Sequence, residues 1–308
     1  GQEVHHKEWV WLSLDVFLQN VANSITLGSL YALIAIGYTM VYGIIRLINF
    51  AHADLLMVAA YIAFYGILVF TLPWYVSFAI AIVLTTLLGV SIERVAYRPL
   101  RSAPRISVLI SAIGVSFLLE NLGIVALGAR PKPFPRPDDL VWNIQIGNIS
   151  FLSLTIIIPV VTIILLVMVT YMVKKTKMGI AMRAVSRDFE TSSLMAVDVN
   201  KVIGATFAVG SALAAVGGIM WSMQYPQVDP LMGMFPGLKC FIAAVMGGIG
   251  SIPGAMIGGF VLGICEVMLV GFMPELSGYR DAFAFVVLIL ILLFRPGGIL
   301  GENVVEKV

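Results

Sequence analysis

Charge is scarce in this chain. Of its 308 residues, 12% are Asp, Glu, Lys or Arg, about half the usual share in a soluble domain. The net charge of +2 is small, and no stretch resembles a basic nucleic-acid surface. Cysteine is nearly absent: Cys240 and Cys265 both lie in apolar stretches. That excludes a disulfide framework, and buried, reduced packing is expected of both thiols. The three histidines, His5, His6 and His52, lack ligand company at a metal-binding spacing. Catalytic signatures are missing too. The chain has no G-x-x-x-x-G-K-[ST] phosphate loop, no H-E-x-x-H and no G-x-S-x-G. No catalytic or metal site is expected, and any energy source is another polypeptide or an ion gradient.

What is present is apolar. Hydrophobic residues make up 60% of the chain and the mean hydropathy is +1.00, which places it among polytopic membrane proteins. A helical span needs roughly 20 mainly apolar residues. Such runs occur at about 21–45, 53–72, 75–92, 106–128, 151–173, 202–223, 253–273 and 280–295. A ninth piece, about 234–250, is broken by Pro236, Gly237 and Lys239 and is read as a tilted span or a re-entrant segment. The expected fold is an all-α transmembrane bundle of eight or nine segments. Its domains are a polar N-terminal segment (1–15), the membrane domain (16–296, with a loop at 174–201) and a short tail (297–308). Trp9, Trp11 and Leu14 suit an interfacial helix in the first of these.

Lysine and arginine orient the bundle. "ERVAYRPLRSAPR" carries Arg94, Arg98, Arg101 and Arg105, and 174–201 carries Lys174, Lys175, Lys177, Arg183, Arg187 and Lys201. Both loops are expected in the cytoplasm. With the ninth piece counted as a crossing, the N-terminus lies outside and the C-terminus inside. All five tryptophans then fall at or beyond the outer ends. Loop 129–150 disagrees in part, because Arg130, Lys132 and Arg136 stand on the outer side. Its four prolines predict an extended cap with a short hairpin at its end. Gly254-x3-Gly258 and Gly259-x3-Gly263 predict close helix packing.

Ionisable and amide side chains at membrane depth are costly and are candidate path residues. They are Asn49, His52 and Asp54 in "INFAHAD", Glu120 beside Asn121, Lys239, and Glu266. Each has a plainer role. Asn49 or Asp54 is expected to cap a helix, His52 to be structural, and Glu120 and Glu266 to bond a neighbouring helix or be held neutral by burial.

One stretch breaks the pattern. "MGIAMRAVSRDFETSSLMAVDVNKV", Met178 to Val202, is charged yet rich in helix formers. A solvated linker needs neither its length nor Met182, Ala184, Val185, Leu194, Met195 and Val197. A helix over 179–197 with that apolar side fits a groove on a partner protein.

Here the chain resembles the H-type permease subunit of branched-chain amino acid ABC transporters. The resemblance runs from "LGSLYALIAIGYTMVYGIIRLINFAHADLLM" through "IERVAYRPLR", "LISAIGVSFLLEN", the stretch just quoted, "TFAVGSALAAVGG" and "GLKCFIAAVMGGIGSIPGAMIGGFVLGICE" to "RPGGILG". It implies a bacterial cytoplasmic-membrane location, a second M-type permease, two ABC ATPases that bind ATP and Mg, and an external substrate-binding protein. No cofactor is implied in this chain itself, and beyond these partners only membrane lipid. It also implies that Gly179, Arg183, Ala184, Asp188 and Leu194 carry the ATPase contact or its shape. Two positions depart from the family pattern. Ala196 replaces a usual Gly and is expected to straighten the turn after the helix, and Ala53-Asp54 replaces a Gly-Glu pair. The same machine could carry urea, short amides or other amino acids. From other classes, a proton-coupled carrier using Glu120, Glu266 or His52, and a non-transporting scaffold, stand as alternatives.

Overall fold

The computed structural model describes residues 14–101, 103–146 and 149–301. Its helices, in chain order, are α1 (Leu14–Ile45), α2 (His52–Leu68), α3 (Trp74–Ile92), α4 (Arg105–Leu127), α5 (Leu154–Lys175), α6 (Lys177–Arg187), α7 (Phe189–Leu194), α8 (Val199–Gln224), α9 (Met234–Gly247), α10 (Ile252–Phe272) and α11 (Arg280–Phe294). A π turn at Glu93–Tyr97 and a 3-10 turn at Arg98–Leu100 prolong α3. Every apolar run read from the sequence is a helix. Trp9 and Trp11 lie outside the described residues.

Seven helical stretches are long and apolar enough to cross a membrane, α11 counting together with the 3-10 stretch Pro274–Tyr279 that leads into it. α2 and α9 are not, at 17 and 14 residues. They measure about 25 and 21 Å against a hydrocarbon core of about 30 Å. Non-helical backbone sheltered by protein supplies the missing length. α1 ends at Ile45, Arg46 turns the chain at φ 54°, and the following residues fold back into the bundle. The His52 side chain thereby reaches Gly37, two turns before α1 ends, where a Cβ would stand 2.6 Å from its imidazole. α9 begins in the same region, with Gly233 and Gly237 against Ala53. Two helix N-termini therefore meet inside the bundle, and residues 225–247 complete one crossing between them. Leu14 and Phe294 consequently lie at opposite ends.

α1 is the central helix. Leu30, Ala32, Leu33, Ile34, Ala35 and Ile36 are wholly buried, and α1 packs against α5, α8, α9 and α10. α10 lies antiparallel to it, with Gly259 on Ala32 and Gly263 on Gly28. The other glycine pair faces elsewhere: Gly254 meets Gly247 and Gly258 meets Ala243, both on α9. The two spaced motifs thus serve two different neighbours. Backbone approaches this close leave no room for a Cβ.

The loops sort by charge. Arg46, Arg101, Lys174, Arg183 and Arg187 gather at one end, called here the basic end. Trp74 and Trp142 mark the other, the tryptophan end, with strands β1 (Lys132–Pro133), β2 (Asn143–Ile146), β3 (Ile149–Leu152) and β4 (Gln227–Val228). β2 and β3 form the expected hairpin, and β1 pairs antiparallel with β4. Two of the three cations that stand against the orientation pattern, Lys132 and Arg136, are occupied. Lys132 donates to the Tyr65 hydroxyl at 2.7 Å and sits over three aromatic rings. Arg136 donates to the Met223 and Gln224 carbonyls at 2.6 and 2.7 Å, where the α8 C-terminus favours positive charge.

Substituting Gly259→Val forces α10 off α1, whereas Gly114→Val meets nothing within 4 Å. Fluorescence-detected size exclusion of the detergent-solubilised chain is expected to show a lost monodisperse peak for the first and a parental peak for the second.

Candidate functional site

The charged stretch is a helical elbow at the basic end. α6 starts where Thr176 accepts the Gly179 amide at 3.1 Å. Gly179 must be small, because a Cβ there would strike the Met172 and Val173 carbonyls ending α5. The Arg183 guanidinium donates to that same Val173 carbonyl, so it ties α6 back to α5 instead of pointing away. Met182 and Val185 are buried against the bundle and Ala184 is half-buried.

The single helix expected over 179–197 is broken. Asp188 leaves helical geometry at φ −152°, ψ 108°, and caps a second helix, α7. Its carboxylate accepts the Thr191 amide at 3.0 Å and the Thr191 hydroxyl. Aspartate is a favoured N-cap because its carboxylate accepts a free amide of the first turn, and the reading of 179–197 as one helix passed over it. The Thr191 hydroxyl and then its amide hold the Asp188 carboxyl below the usual aspartate range. Bonds from Lys201 do the same for Asp198, which caps α8. Both caps persist above the ordinary aspartate titration and are lost as pH falls through the lowered values.

The turn that Ala196 was expected to straighten is kept. Ala196 sits at φ 60°, and the Val197 amide donates to the Ser192 carbonyl at 3.2 Å. That is the Schellman closure, with alanine at the position glycine normally fills. The left-handed geometry costs a Cβ-bearing residue about 1–2 kcal/mol. The closure holds the end of α7 outward: Leu194 is 85% exposed and Met195 75%. Phe189 and Ile180 are exposed beside them, and neither was singled out in the sequence. The apolar side thus divides. Met182 and Val185 anchor the elbow, while Ile180, Phe189, Leu194 and Met195 face outward.

A second charged assembly lies beside the elbow and ties the prolonged end of α3 to α8. Glu93 is fully buried and pairs with Arg98 at 3.1 Å and with Arg101. Arg101 also donates to Asn200 at the start of α8, at 2.6 Å. A cleft of about 610 Å³ between Arg46, Arg101, Phe189 and Glu190 separates this brace from the elbow. The sequence showed these arginines as a topology signal and did not show their buried partner.

The membrane polar residues do not form one chain. Asn49 accepts the Tyr97 hydroxyl at 2.8 Å, and α2 begins after Ala51 with no side-chain cap. The capping role expected of Asn49 or Asp54 is therefore wrong, because the chain re-enters with both side chains turned to other helices. Asp54 is buried, with Ser116 and Glu120 of α4 as its polar neighbours. His52 is buried against Tyr38, ring centroids 4.4 Å apart, and its Nε2 has no partner. Asn121 is exposed and its amide donates to the Phe117 carbonyl of its own helix at 2.7 Å.

Glu266 belongs to a separate network. It accepts the Tyr31 hydroxyl at 2.7 Å, pairs with Lys239 at 2.7 Å, and also pairs with Arg280. Lys239 bridges on to Asp281 at 2.6 Å. Four helices, α1, α9, α10 and α11, are tied at one point. Arg280 and Asp281 were not anticipated, since they lie in a sequence boundary that periodicity does not read.

Residues 20–292 match the family described as branched-chain amino acid transport system / permease component. The chain belongs to that family. It is 44% identical over 305 residues to the high-affinity branched-chain amino acid transport system permease protein BraD of Pseudomonas aeruginosa, covering 95% of this chain and 98% of that protein. It is 42% identical over 303 residues to the corresponding permease protein LivH of Escherichia coli K12, with the same coverage. The ribose import permease protein RbsC of Haemophilus influenzae is 25% identical over 280 residues, covering 89% of this chain and 84% of that protein.

Two outcomes follow from this geometry. Glu266→Gln leaves Lys239 with Asp281 alone and takes from Arg280 its carboxylate, and breaking a buried pair costs about 3–5 kcal/mol; thermal unfolding in detergent is expected to shift down clearly. Ala196→Gly removes the left-handed strain of about 1 kcal/mol, and hydrogen exchange of 189–197 is expected to slow.

Proposed function

We propose that this chain is the membrane subunit of an ATP-driven importer of branched-chain amino acids in the cytoplasmic membrane of a bacterium. The observation that carries the coupling part of this reading is the elbow. A water-facing end of a membrane protein keeps Phe189, Leu194 and Met195 outward while the opposite side of the same elbow is pinned into the bundle. Exposed apolar side chains on a fixed frame suit a partner's groove, and the chain has no phosphate loop of its own. The partners are two ATPases, which bind ATP and Mg at the basic end, a second permease, and an external binding protein at the tryptophan end. The C-terminus is cytoplasmic.

In this mechanism, ATP closes the ATPase pair and pushes the elbow. The elbow is tied to α5 by Arg183 and Gly179 and runs through its Asp198 cap into α8. α8 packs on α1, α2 and α3, so displacement of the elbow reaches the helices around the re-entrant segment.

Cargo follows relatedness. The 42–44% identical relatives are named for branched-chain amino acids, and the ribose permease stands at 25%. A proton-coupled carrier is disfavoured, because Glu266 is held by two cations in a network apart from Asp54 and Glu120.

Leu194→Asp, Arg183→Ala and Asp188→Ala are each expected to weaken ATPase association about tenfold, the equivalent of 1.4 kcal/mol, with membrane insertion unchanged. Co-purification and uptake assays check this, and normal assembly and transport in all three would remove the coupling role. Uptake into vesicles is expected to require internal ATP and to survive a protonophore.

A further inference from the structure

Between α2, α3 and α4 lies a groove of about 680 Å³. Its walls are nearly all apolar, with Met57, Val58, Ile62, Leu119 and Leu122 among them. The wall also carries Tyr61, Tyr65 and Ser77. Tyr61 Oη and Ser77 Oγ belong to buried residues on the groove wall, and neither has a hydrogen-bond partner. An unpaired buried hydroxyl costs about 1–3 kcal/mol.

Two carboxyl side chains stand one helical turn beyond the lining. Asp54 lies three and four residues before Met57 and Val58, and Glu120 lies three before Gly123, so each continues a groove face by one helical turn. The helices meet closely there, since a Cβ on Gly123 would stand 3.3 Å from Met57. Asp54 is buried and its Oδ2 is unpaired, while Glu120 is near enough to act on its charge.

The treatment of the other buried carboxylates makes this pair unusual. Glu93 has Arg98 and Arg101, and Glu266 has Lys239 and Arg280. Among the described residues, no cation pairs with Asp54 or Glu120. A desolvated acidic pair without a counter-charge is a place for a cation to arrive. The mouth has the opposite sign: Lys132 sits on the Tyr65 hydroxyl at the tryptophan end. Tyr65 and Asp54 are separated by roughly 16 Å of helix, so one small zwitterion would meet the two charges in succession.

We propose that this groove is the subunit's half of the amino-acid path, in which Asp54 and Glu120 receive the substrate's α-ammonium group and the apolar walls receive its branched side chain. The proposal rests on the branched-chain import reading. Lys132 draws the substrate carboxylate at the mouth. The acidic pair one turn beyond the lining draws the ammonium inward. Each contact is brief, as a path must bind weakly enough to release.

The test uses the complete assembly with both permeases, its ATPases and its binding protein, in proteoliposomes. Asp54→Asn and Glu120→Gln are expected to lower leucine uptake about tenfold or more, and Glu120→Asp to return most of it. A Leu122→Cys assembly is expected to label with a maleimide more slowly when leucine is being transported. A transporting parent with uptake unchanged in both charge-removing variants overturns the proposal alone. So does Leu122→Cys labelling that leucine does not slow, which would give the groove to a partner helix or lipid chain. Where a variant assembles poorly, the labelling result decides. A parent that takes up no branched-chain amino acid overturns the import reading and this proposal with it.

Discussion

Where α10 passes between α9 and α1, peptide backbones meet with no side chains between them. Gly254 and Gly258 serve one neighbour and Gly259 and Gly263 the other. Lipid is as apolar as leucine, so helices in a membrane gain little from hiding leucine and more from close contact. This contact fixes α9 against α1, and α9 in turn holds the start of α2 through Gly233 and Gly237. The non-helical backbone at 46–51 and 225–233 is tolerated at membrane depth because that frame shelters it. The buried polar residues of the re-entrant segment owe their positions to four glycines on a helix that none of them belongs to.

A second constraint is the cost of buried charge. The bundle answers it with cross-helix networks that also act as ties. Glu93 joins the prolonged end of α3 to the start of α8 through Arg101 and Asn200. Glu266 joins α1, α9, α10 and α11. The first lies beside the elbow and the second lies toward the tryptophan end, so the two ends of the molecule are braced independently.

Much of the fold was legible because long apolar runs, arginine-rich loops and spaced glycines each follow from one physical rule. All nine apolar segments are helices, and both glycine motifs pack as read. The local chemistry was less legible. Asn49 and Asp54 looked like caps because their sequence neighbours suited capping, yet the partners that decide their roles, Tyr97 and Ser116, lie about 50 residues or more away in sequence. The Glu266 network was invisible for the same reason, since Lys239 and Arg280 approach it from other helices. The break at Asp188 was readable from the capping preference of aspartate, but the continuous run of helix formers outweighed it. Ala196 was misread because a turn was inferred from residue preference alone, whereas the Val197–Ser192 hydrogen bond imposes it.

The closed turn at Ala196 has a consequence for any protein that meets the elbow. Leu194 and Met195 are presented by backbone already fixed at both ends, by the Asp188 cap and by the Schellman closure. The ordering cost of that presentation is met during folding and need not be met again at each encounter. A preorganised knob of this kind can be gripped and released in every turnover without local refolding. The strain of about 1 kcal/mol at Ala196 is small beside that recurring saving, which gives an alanine a tenable place at a position that favours glycine.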